Sequence, residues 1–153
     1  RASIETEEKM TDPQDFEAWK HEPKSILSMV ILLDQFPRNA FRGSARSFEY
    51  DLHALEAARE ALEKGFDTSL SPTEAGFLVL PFEHSEDITD QKEAVRLARD
   101  LTERGAGKDL YEFAVRHHDI IESFGRFPHR NAVLGRPSTP EEIEFLKLPG
   151  SSF

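Results

Sequence analysis

Ser25-Ile26-Leu27-Ser28-Met29-Val30-Ile31-Leu32-Leu33-Asp34-Gln35-Phe36 is the stretch on which the fold reading of this 153-residue chain turns. Apolar side chains fill it so densely that neither a helical nor a two-residue period stands out. Length separates the alternatives, because strands usually run about four to eight residues and this run is about twelve. It therefore reads as a helix with almost no polar face, one that other elements must enclose. Pro37 is expected to end it.

Working outward, Phe48, Leu52, Leu55 and Leu62 recur at spacings of three, four or seven among Glu, Ala, Arg and Lys. That pattern predicts an amphipathic helix over 44–64, closed by Gly65. Ser71-Pro72-Thr73-Glu74 and Thr139-Pro140-Glu141-Glu142 both read as capping boxes with proline at the first helical position. The helix opened by the first carries Phe77, Leu78, Val79, Leu80 and Phe82, and Pro81 predicts a kink or early end before His84-Ser85-Glu86-Asp87. Asp87 or Thr89 can start the next, with Val95, Leu97, Ala98 and Leu101, until Gly105-Ala106-Gly107 breaks it. Over 109–124, Leu110, Phe113, Ala114, Ile120, Ile121 and Phe124 form one stripe that also carries His117. A last short helix holds Ile143, Phe145 and Leu146. Residues 1–18 read as a loose arm or partial helix, with Thr11-Asp12-Pro13 as a helix start. Nowhere does period-two alternation meet a hairpin turn. The expectation is an all-α fold of about six to seven helices, in antiparallel pairs, with a single domain over 19–153.

Composition narrows the partners. Nineteen basic against 29 acidic residues leave a net charge of −10, which argues against a general nucleic-acid or anionic-membrane surface. The longest apolar run, Met29 to Leu33, is far short of the roughly 20 residues of a membrane helix. With no cysteine, disulfides, thiolate zinc sites and cysteine nucleophiles are excluded, and an intracellular, cytoplasmic location is the default expectation.

One stretch departs from the acidic background. Phe124-Gly125-Arg126-Phe127-Pro128-His129-Arg130-Asn131-Ala132-Val133-Leu134-Gly135-Arg136 holds three arginines and a histidine without one acid, and reads as a helix-exit loop. Phe36-Pro37-Arg38-Asn39-Ala40-Phe41-Arg42-Gly43 echoes it, sharing Arg-Asn-Ala-x-x-Gly. Similar local sequence predicts similar turns, with Asn and Gly accommodating positive φ, and helix stacking would bring both sets of arginines to one end.

Four separated blocks also carry a resemblance: Leu32 through Asn39, Pro81 through Asp87, His117 with Ile120-Ile121, and Phe124 through Arg136 followed by Ser138 through Glu142. Together with Trp19 before the apolar helix, they resemble the family catalogued as domain of unknown function 924. The resemblance covers about 19–153 and implies an all-helical fold similar to tetratricopeptide-repeat proteins, without implying a reaction. It also implies more sequence ahead of the tryptophan in family members, so residues 1–18 depart from the pattern and one or two helices are expected to be missing.

The residues that point to chemistry are His84, Glu86, His117 and His129 as catalytic groups, with Asp34, Arg38, Asn39, Arg126, Arg130 and Asn131 as ligand-binding groups. Arginine presents a fixed fork of donors suited to carboxylate or phosphate, and a histidine beside a carboxylate can act as a general base. His118 should point away from His117. His84-Ser85-Glu86 matches the His-x-Glu of zinc deaminases, but the cysteine pair that signature needs is absent. There is no His-Glu-x-x-His helix, so no metal and no cofactor are expected. The structural alternative is an internal network: Asp34, Glu86 and Asp87 paired with the arginines, Asn39 and Asn131 capping backbone groups, Ser85 capping the following helix, and His117 as a satisfied core histidine. Two functions follow. One is a pocket for a small anionic metabolite, read as a hydrolase; the other is a scaffold that presents the helical stack to a protein or peptide.

Overall fold

Pro23 lacks the amide hydrogen that a first helical turn leaves unused, and from it α1 runs as Pro23–Ala40. The computed structural model describes residues 17–153, so the arm expected over 1–18 falls almost wholly outside the described residues. Ile26, Val30 and Leu33 of α1 are buried, as the apolar run requires. Pro37 does not end the helix. It forfeits one backbone bond near the helix end, where little remains to break, and Phe41 N–H closes the last turn on the Pro37 carbonyl at 2.9 Å.

The helix expected over 44–64 divides in two. Ser44 accepts a bond from the Arg46 N–H and starts a 3-10 turn, Ala45–Phe48; α2 then spans Asp51–Glu63. The break rotates the buried stripe onto Ala54, Leu55, Ala57, Ala58 and Ala61. Leu52, read as a core position, is 71% exposed. Alanine faces let helices approach closely, and that packing outweighs the burial of one leucine.

A complete capping box at Ser71 and Glu74 starts α3, Pro72–Glu83. This helix packs against α1 and α2 on one side and against α4, Ile88–Glu103, and α5, Lys108–Phe124, on the other. It is enclosed, and it runs through Pro81 to stop one residue before His84. Asp87 caps α4 through Thr89 N–H. Gly125, at φ 71°, closes α5 in the left-handed conformation that glycine adopts without a Cβ penalty. The stretch expected as a loop holds a 3-10 turn, Pro128–Arg130, and the short α6, Asn131–Leu134; the second capping box then opens α7, Pro140–Leu146.

The fold is all-α, with no strand among the described residues. Helices α1 through α5 each contact their neighbours in sequence, and α1 and α5 each reach α3 as well. One apolar core joins α1 through α5, and a smaller one sets Ile120, Ile121 and Phe127 against Ile88, Phe124 and Phe145. Both echoed stretches turn on a positive-φ glycine, Gly43 and Gly135, whereas neither asparagine adopts positive φ.

Candidate functional site

The last turns of α1, the C-terminal end of α3 and the middle of α5 meet at a cavity of about 500 Å³. α1 and the turn after it contribute Gln35, Arg38, Asn39 and Arg42; His84 caps α3; His117 stands on α5; and the 3-10 turn brings His129 and Arg130. Phe48, Phe127 and Phe153 complete the wall. The two echoed stretches thus do face one space. Cations near helix C-termini are favourably placed against the negative end of the helix dipole, and Arg130 Nη2 donates to the His84 carbonyl at 3.0 Å.

The arginines differ in how they are satisfied. Arg38 makes a bidentate pair with Asp51, at 2.6 and 3.0 Å, and lies 3.5 Å from Asp34. Arg42 is exposed at the rim, with no ion pair among the described residues. Arg130 is only 7% exposed and has no carboxylate within ion-pairing distance among the described residues. Its guanidinium lies over Phe48 and Phe127, 4.3 and 4.7 Å from the ring centres, and its Nε has no hydrogen-bond partner among the described residues. Burial therefore pulls its pKa down to about 10, against the opposing charge of Asp51.

The histidines divide as well. His84 Nδ1 meets Asp34 Oδ1 at 2.6 Å. Burial alone would raise the pKa of Asp34, but His84, Arg38 and Gln35 outweigh it and hold the carboxylate below its ordinary value. An ionised Asp34 accepts the Nδ1 proton, which leaves His84 Nε2 as the free ring nitrogen. Burial pushes His117 down to about 4; its Nδ1–H donates to the Phe113 carbonyl at 2.7 Å, and its ring stacks on Phe153 with centres 3.8 Å apart. His129 is likewise pushed to about 4, first by burial and then by the Arg130 charge, and its Nδ1 has no hydrogen-bond partner among the described residues.

Three of the expected site residues lie in a neighbouring network. Glu86 binds Arg136 through both oxygens, at 2.8 and 3.1 Å, and accepts the Phe127 N–H at 2.6 Å. Arg126 clasps Glu142 at 2.7 and 2.9 Å, and buried Asn131 bridges Ser138, Glu142 and Arg136. None of the three lines the cavity. They anchor the loop that delivers His129 and Arg130. His118 is half-buried beside exposed Asp119 and Glu122, and one oxygen or nitrogen atom from each of the three lies within 4.8 Å of the others.

Glu83 was not singled out by sequence. It is 1% exposed, and among the described residues neither carboxyl oxygen has a hydrogen-bond partner; His117 Nδ1 lies 3.7 Å away. Burial, reinforced by the negative charge of Asp34, raises its pKa to about 8. The available signal was an acid on a helix with no polar face, where any charged side chain must be buried. Phe48 and Phe153 had no such signal, since they reach the cavity only through tertiary packing.

A family model described as "Bacterial protein of unknown function (DUF924)" matches residues 2–150. The match begins ahead of Trp19, where the recognisable blocks start. Among solved structures, the chain is similar to a protein of unknown function from Agrobacterium tumefaciens, at 42% identity and a TM-score of 0.82, over 88% of this chain and 73% of that one. Among curated proteins, none matches.

Proposed function

The chain belongs to the DUF924 family, whose description assigns no reaction, and from the cavity itself we propose that it binds a small molecule bearing a carboxylate or phosphate and hydrolyses a bond beside that anion. Buried Arg130, a guanidinium without a carboxylate partner on the wall of a cavity, carries this reading. A desolvated charge is costly unless something pairs with it. An anionic group placed against Arg130, with Arg42 at the rim, supplies the pairing.

His84 provides the chemistry. With Nδ1–H held by Asp34, Nε2 can take a proton from water as the hydroxyl adds to an acyl or phosphoryl centre, and then return it to the leaving group. Arg38 and Arg130 offset the negative charge that develops on the oxygens. His117 and His129, kept neutral by burial, add acceptor nitrogens without competing for the proton.

The alternative is a tetratricopeptide-like scaffold for a protein or peptide, in which the cavity groups only brace the helix ends. The apolar groove between α3 and α5, with Phe77 and Leu110 on its walls, is the feature that favours it. A thermal-shift screen of phosphorylated and carboxylated metabolites separates the readings. The anion site predicts concentration-dependent stabilisation by at least one class, abolished in Arg130→Met. His84→Asn should retain that stabilisation but lose hydrolysis of the stabilising ligand's esters. Stabilisation by none of the anions removes the reading.

A further inference from the structure

A second cavity, about 440 Å³, shares Gln35, His84, His117 and Phe153 with the first and adds Leu80, Leu110, Phe113, Arg116, Ser152 and Glu83. The shared residues make the two spaces neighbours, with His117 and the Phe153 ring stacked on it forming the partition. One space is walled by arginines. The other holds a carboxyl group with both oxygens unmatched among the described residues, where neutral His117 stands 3.7 Å away and no Lys or Arg lies within ion-pairing distance.

A carboxyl so enclosed needs donors that point at it. His117 cannot supply one, because its Nδ1–H is committed to the Phe113 carbonyl. Gln91 of α4 commits its amide nitrogen to the backbone carbonyls of Glu83 and Ser85. Arg116 is exposed, over the rings of Phe113 and Phe153, and makes no ion pair with Glu83. A primary ammonium group has three donors and a compact charge, and could meet both oxygens at once. We propose that the ligand is a zwitterion, its anionic group held by Arg130 and Arg42 and its ammonium group held by Glu83 across the His117–Phe153 partition.

This assignment rests on the anion site proposed above and narrows its ligands to zwitterions such as ω-amino acids and phosphorylated amines, the phosphate ester of the latter being the bond open to hydrolysis. It also predicts a proton linkage. Glu83 is faced by Asp34 from α1, by His84 at the end of its own helix and by His117 and Arg116 from α5; α4 presents the uncharged Gln91, and α2 presents none of the charges that shift it. Free Glu83 holds a proton at neutral pH, and pairing with an ammonium expels it. The preference for an amino-bearing ligand should therefore rise with pH by up to about tenfold per unit until Glu83 ionises unaided.

The test is calorimetric titration of the full chain at pH 6, 7 and 8 with two matched series. One runs from 3-aminopropionate to 6-aminohexanoate, with O-phosphoethanolamine; the other runs from propionate to hexanoate, with ethyl phosphate. The site predicts at least tenfold tighter binding of one amino-bearing member than of its match at pH 8, a ratio that shrinks at pH 6. Glu83→Gln, which removes no hydrogen bond, should bring the ratio to about one. If anions bind but the amino group adds nothing, or if Glu83→Gln leaves the ratio unchanged, the zwitterion assignment is overturned while the anion site stands. If neither series binds, both fall.

Discussion

Replacing Arg130 with methionine separates a ligand-binding cation from a structural one. The fall of its pKa from 12.5 to about 10 corresponds, at about 1.4 kcal/mol per pH unit, to about 3 kcal/mol by which folding disfavours the charge. Arg130→Met recovers that cost and keeps apolar contact with Phe48 and Phe127. Against it stand the charge-assisted bond to the His84 carbonyl, about 1.5 to 3 kcal/mol, and ring contacts of about 1 to 2 kcal/mol. The terms nearly cancel, so the variant should lie within about 2 kcal/mol of wild type. Arg136→Met is the comparison, because it strands Glu86 without its bidentate partner and should cost about 3 kcal/mol. Urea unfolding of both variants at pH 7 reads the difference directly. Destabilisation of Arg130→Met equal to or greater than that of Arg136→Met would mean that Arg130 is a structural cation.

Glu83 has its folded pKa raised to about 8 from 4.5, so its contribution is fully present below pH 4.5 and is lost as pH rises towards 8. Glu83→Gln should therefore gain stability over wild type progressively from pH 5 to 8 in chemical unfolding; parallel curves would contradict this. Glu142, held down to about 2 first by Arg126 and then by the Thr139 N–H, contributes stability above pH 4.5 that is lost as pH falls towards 2. Glu142→Gln should lower Tm by roughly 5 to 10 °C at pH 7, and a change within a degree or two would count against the network. His117 and His129 should remain neutral at pH 5.5 in a histidine NMR titration, since both lie near 4; midpoints near 6.5 would deny their burial. Leu52→Ala should change stability by less than about 0.5 kcal/mol and Leu33→Ala should cost about 2 to 5 kcal/mol, because the first is exposed and the second is core.

The elements were legible where one local cause dominates. Two capping boxes, the proline starts and the glycine after α5 announce helix ends through backbone chemistry that needs no tertiary context. Pro37 and the 44–64 segment misled for the opposite reason. The cost of a proline depends on how much helix follows it, and the phase of α2 was decided by how closely alanines let three helices approach. At the site, charge contrast drew attention to the arginine-bearing stretches, and residues of both echoed segments, 36–43 and 127–135, line the cavity. Sequence could not say which arginines would be neutralised. Arg126 and Arg136 found Glu142 and Glu86, Arg38 found Asp51, and Arg130 found only a carbonyl and two rings. That difference depends on partners 13 to 50 residues away, and the functional reading rests on it.

The most direct measurement is an NMR titration of the arginine side-chain resonances with phosphate and with propionate, in wild type and in Arg130→Met. The Arg130 guanidinium signal should show a saturable shift, with Arg126 and Arg136 unmoved because their carboxylate partners are already in place. An Arg130 signal that does not move with either anion, or one that moves only in step with every other arginine, would contradict an anion site at Arg130.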